Sequence, residues 1–96
     1  MLIGILQLEL HIGDALNARE KRGIIRSIKD KWHHHHNASI AEVDHLEHPQ
    51  HTVLGVAVVG SDAKYLESTL SKIVEQAKHE RRAELVDFQI EIVPGR

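Results

Sequence analysis

The stretch Leu2–Ile12 constrains the rest of the chain more than any other. Leu2, Leu6, Leu8, Leu10 and Ile12 occupy even positions, whereas Ile3, Ile5, Gln7, Glu9 and His11 occupy odd ones. Period-two alternation of this kind marks a β-strand. Its even side is apolar throughout, and its odd side passes from apolar to polar along the chain. A strand with one face wholly covered belongs inside a sheet, so the remaining residues must supply its neighbours and its cover.

Gly13 and Asp14 break this strand, and Asn17 followed by Glu20 has the spacing of a helix N-terminus whose side chains satisfy its free amides. A helix is predicted over 18–35, with Ile24, Ile25, Ile28 and Trp32 as its buried stripe. Ser39 to His45 reads as a second strand, with Ala41 and Val43 on one side and Ile40, Glu42 and Asp44 on the other. Pro49 marks the following turn, because it cannot donate to a ladder. Thr52 to Val59 is apolar on both parities, as an interior strand is. Ser61 and Asp62 open a second helix to about Glu80, with Leu66, Leu70, Ile73, Val74 and Ala77 as its stripe. Glu84 to Val93 closes the chain as a strand, Val86, Phe88, Ile90 and Ile92 opposing Asp87, Gln89 and Glu91.

The order β-α-β-β-α-β predicts an α+β ferredoxin-like sandwich, a four-stranded antiparallel sheet of order 4-1-3-2 with both helices on one face. At 96 residues this is one domain over 1–96, with one core. On the open face the expectation is Ile3, Ile5, Gln7, Glu9 and His11, flanked by Ile40, Glu42 and Asp44 on one side and Asp87, Gln89 and Glu91 on the other. Trp32 and Phe88 are assigned to the core.

Composition excludes several function classes. Without cysteine there is no disulfide, thiolate nucleophile or thiolate zinc site. No apolar run is long enough to span a bilayer, and the N-terminus reads as strand rather than signal peptide, so a cytoplasmic protein with no membrane partner is expected. The scattered glycines make neither a phosphate loop nor a dinucleotide fingerprint, so no cofactor is expected. A formal charge of -2 leaves nucleic-acid binding to a local patch.

Glu9-Leu10-His11-Ile12, Glu20-Lys21-Arg22, Ala41-Glu42-Val43-Asp44-His45 and Leu54-Gly55-Val56-Ala57-Val58-Val59 before Ser61-Asp62 resemble the YlxP-like family, a bacterial domain family of unknown function. The resemblance runs over nearly the whole chain and implies the same ferredoxin-like sandwich. Genes of that family commonly sit among those for translation initiation and ribosome maturation, which implies an RNA or ribosome partner by association. Where the family tends to have Ser-Leu-Lys before Glu-Lys-Arg, this chain has Asn17-Ala18-Arg19. The family also tends toward basic residues and an aromatic at the helix end, where this chain has His33 to His36.

Two candidate sites follow. Arg19, Arg22, Arg26, Lys29 and His33 repeat at intervals of three and four, so they share one stripe of the first helix beside its apolar stripe. Such a row can meet successive phosphates of RNA, whereas its structural alternative is a solvated helix face. Lys21 projects within the sector of Ile25 and Ile28, so its stem is expected along the core edge and its ammonium at the end of the sheet, with Glu9 or Asp44 as its ion-pair partner and a supporting nucleic-acid contact as its functional role. The second candidate is a small-ligand or metal site, with an enzymatic role as one reading of it, at the top edge of the sheet, where His11, Glu42, Asp44, His45 and His51 converge, with His48 nearby. Their nitrogen and oxygen donors suit zinc or nickel, but their spacing matches no metalloenzyme motif, and no resident metal is assigned. The apolar part of the open face makes a homodimer through that face, or a protein-protein adaptor, a third expectation.

Overall fold

A computed structural model describes residues 1–96. Its elements are β1 (Leu2–His11), α1 (Ala18–His35), β2 (Ser39–Asp44), β3 (His51–Gly60), α2 (Ala63–Lys78) and β4 (Glu84–Pro94). The strands form one antiparallel sheet of order β2-β3-β1-β4, which is 4-1-3-2 read from the other edge. The protein is a ferredoxin-like α+β domain.

β1 and β3 pair without a break from Leu2↔Gly60 to His11↔His51. The even residues of β1 therefore share a face with Thr52, Leu54, Val56 and Val58. On this face lie the helices, whose stripes supply Ile25, Ile28, Trp32, Leu66, Leu70, Ile73, Val74 and Ala77 to one core. Each large apolar side chain buried there contributes about 1.5–3 kcal/mol. Both helices start where their caps dictate, as Asn17 Oδ1 accepts from Glu20 N and Asp62 Oδ2 from Tyr65 N.

The register of β2 and a bulge in each edge strand depart from the expected facing. In β2, Ile40 pairs with Val56 and Glu42 with Leu54, so both point toward the helices and not to the open face. The ladder then shifts at Val43, and Asp44 pairs with Val53 on the open side, where it was expected. An isolated six-residue strand with Ile on one parity and Val on the other cannot announce this choice. In β4 the shift falls between Glu9 and Leu10 of β1, leaving Val86 as the extra residue and turning Leu85 inward opposite Leu10. Phe88 is not a core residue. It faces the helix layer opposite Leu8, but β4 is the edge strand, and Phe88 remains 40% exposed.

Candidate functional site

The top of the sheet is organised by Lys21. It stands on α1 four residues before Ile25 and seven before Ile28, one and two turns away, so its four-carbon stem follows the apolar stripe inward, and the residue is 0% exposed. Its Nζ donates to the carbonyl oxygens of His45 (2.6 Å), His51 (2.9 Å) and Leu46 (3.3 Å) and pairs with Glu42 Oε2 at 2.9 Å. Thr52 Oγ1 donates to that same carboxylate oxygen at 2.6 Å. Every N–H of the ammonium thus has an acceptor, as a buried charge requires.

This arrangement corrects two expectations. The partner of Lys21 is Glu42, delivered by the inward facing of β2, and not Glu9 or Asp44. Lys21 also has no exposed atom with which to support a nucleic-acid contact. Sequence reasoning did not give Thr52 a role, although it is the one polar residue on an otherwise apolar face of β3, and that contrast was readable.

Around the outside of this lysine lie four imidazoles. His11 and His51 have ring centroids 5.2 Å apart, His48 and His51 4.9 Å, and His45 lies 6.4 Å from both His48 and His51. His45 has a positive φ of 59°, which folds the β2–β3 turn so that its carbonyl reaches Lys21. His48 Nδ1 accepts from Gln50 N and His51 N, so the neutral ring carries its proton on Nε2. The pKa of His48 lies below the ordinary 6.5 because of partial desolvation, followed by the positive potential of His51, Lys21, His45 and His11.

The structure brings together His11, His45 and His51, with His48 beside them as expected. It separates Glu42, which is committed to Lys21 and Thr52, and Asp44, whose Oδ1 accepts from His45 N. No three His, Asp or Glu side chains converge with the geometry of a metal centre. His33 to His36 lie at the far end of α1, where His36 Nε2 is hydrogen-bonded to Gln76 Oε1 at 2.8 Å.

The basic stripe has the opposite character. Arg19, Arg22, Arg26 and His33 are exposed and Lys29 is half-buried, all on one long helix face. None of the four Arg and Lys residues belongs to an ion pair; the helix's surface pair is Lys31 with Glu80, off the stripe. The open sheet face carries Glu9, Asp87 and Glu91 instead, and no lysine or arginine.

A ferredoxin-like sandwich locked at one end by a buried lysine, with a cationic helix outside, is the class that fold and site define. The chain belongs to the family described as Protein of unknown function (DUF503), whose model matches residues 3–90. It is similar to the uncharacterized protein YlxP of Bacillus subtilis (strain 168), with 30% identity over 73 residues, which are 76% of this chain and 79% of that protein. Among solved structures, an amidase of the hydantoinase/carbamoylase family from Burkholderia phymatum is similar over 97% of this chain and 28% of that chain, with a TM-score of 0.45 and 14% identity. A likeness of that degree carries no inference about activity. No helix is long and apolar enough to cross a membrane.

Proposed function

We propose that the protein is a non-catalytic binding domain that takes up structured RNA, on the ribosome or during its maturation, through Arg19, Arg22, Arg26 and Lys29 of α1. The observation that supports this most is that these cations repeat at helical pitch on one face and none is neutralised by a carboxylate. A row of free guanidinium groups suits phosphate oxygens, which it meets bidentately. The acidic open face would repel a phosphate backbone, which leaves the helix layer as the side that meets RNA. Base stacking on the sheet has no basis here, since Trp32 is buried and neither Tyr65 nor Phe88 lies on the open face.

Co-sedimentation with ribosomal subunits across a salt series tests the proposal, with the Arg22→Glu, Arg26→Glu double variant run alongside. Binding by the wild type that salt removes and the variant lacks is the expected result. Equal binding by both, or none by either at low salt, overturns it.

A further inference from the structure

The two edges of the sheet differ in a way that the RNA reading does not use. The β2 edge is six residues long and interrupted by a bulge at Val43, both of which discourage further pairing. The β4 edge is eleven residues long, and from Asp87 to Val93 it pairs with β1 in unbroken register. That stretch contains no Pro, Lys or Arg, the residues that usually protect an edge. Beside its free backbone groups, on the helix side, run Val86 (51% exposed), Phe88 (40%) and Ile90 (37%). A long edge of this kind with an uncovered apolar row is suited to accept another strand.

The flank of α2 above that row indicates which strand. Lys78 borders a groove with Val86 and Phe88 at one end of β4. Leu66 and Leu70 sit over Gly4, which pairs with Ile92 at the other end. Glu67 and Lys78 are eleven residues apart, close to three helical turns, so they project from the same flank of α2. The flank therefore presents a carboxylate toward Ile92 and an ammonium toward Val86, the latter in an exposed ion pair with Glu75 Oε1 at 3.2 Å that leaves N–H groups for a second carboxylate.

We infer that β4 pairs antiparallel with β4 of a second copy about a two-fold axis near Ile90, giving a continuous eight-stranded sheet. In that register Ile90 meets its own equivalent and Phe88 meets Ile92 of the other copy, which covers the apolar row. On the opposite face Gln89 meets Glu91 and Asp87 meets Val93, so no two carboxylates stand directly opposed. The two-fold also reverses one α2 against the other, bringing Lys78 of each copy to Glu67 of its mate. With strands about 4.8 Å apart, the α2 axes lie roughly 10–14 Å from each other, within reach of such side chains. An isologous contact requires a self-complementary patch, and this one sets apolar row against apolar row and Lys78 against Glu67.

This contact uses neither α1 nor the open face, so it is independent of the RNA proposal. It also differs from a dimer through the open face, which loses Ile40 to the core. Sedimentation velocity of the full chain at tens of micromolar tests it. Expected are a dimer for the wild type, monomers for Ile90→Lys and for Lys78→Glu, and recovery of the dimer by Lys78→Glu combined with Glu67→Lys, with unchanged circular dichroism throughout. A monomeric wild type overturns the inference. So does a dimer that withstands both β4-side variants, or one that the charge-swapped pair fails to restore while remaining folded.

Discussion

At the residue scale, Lys21 is both the most deeply placed charge and the joint between α1 and the β2–β3 turn. Removing its ammonium by Lys21→Met strands Glu42 and three carbonyl oxygens, and the expected cost is about 3–5 kcal/mol, measured by urea denaturation. Thr52→Val removes only the hydroxyl's bond to Glu42 and should cost about 1 kcal/mol. Similar losses for the two would mean that the lysine is no more than one polar contact among others. His48 carries a second prediction. Its folded pKa lies below the unfolded 6.5, so near and below that pH the unfolded chain binds more protons. Stability is then complete above about pH 6.5 and declines as pH falls through the folded value. His48→Gln should flatten the melting temperature against pH over this window, and an unaltered profile would assign the acid sensitivity to another group. The basic stripe was legible residue by residue because helical spacing alone fixes it. The inward turn of Glu42 was not, because a six-residue strand with apolar residues on both parities fits either way round.

At the element scale, glycines separate open from crowded positions. A Cβ at Gly23, in the middle of α1, meets nothing within 4 Å, so Gly23→Ala should stabilise by about 0.5–1 kcal/mol through helix propensity. A Cβ at Gly4 lies 3.0 Å from Leu70 Cδ1 and 3.5 Å from Leu66 Cβ, inside the core. Gly4→Ala requires the Leu70 methyl to give way by a few tenths of an ångström within a packed core and should cost about 1 kcal/mol. Thermal unfolding of the pair checks both signs, and a stabilised Gly4→Ala would show that the Leu70 side chain yields without loss of packing. All six elements were readable in order, since hydrophobic period and capping residues are local properties. The bulges at Val43 and Val86 were not, because a bulge is visible only against the strand it fails to match.

At the scale of the whole molecule, a row of cations without ion-pair partners lies on α1, whereas the open face of the sheet carries carboxylates and no lysine or arginine. If α1 meets RNA through its four cations, the logarithm of affinity should fall with the logarithm of salt concentration at a slope of about -2.8 to -3.6, by about 0.7–0.9 per phosphate contact. The Arg22→Glu, Arg26→Glu variant should lose at least half of that slope, and a wild-type slope near zero would remove the electrostatic basis of the reading. The sequence by itself determined the order of elements, the sheet topology, the two buried helix stripes and the cationic row, because each rests on periodicity and on short-range caps and turns. Only the tertiary structure decided which side of β2 faces inward, that Lys21 is spent on Glu42 and the turn carbonyls, and that Phe88 stays half in solvent. Each of these depends on register between strands far apart in the chain, where the displacement of a single residue exchanges core for surface.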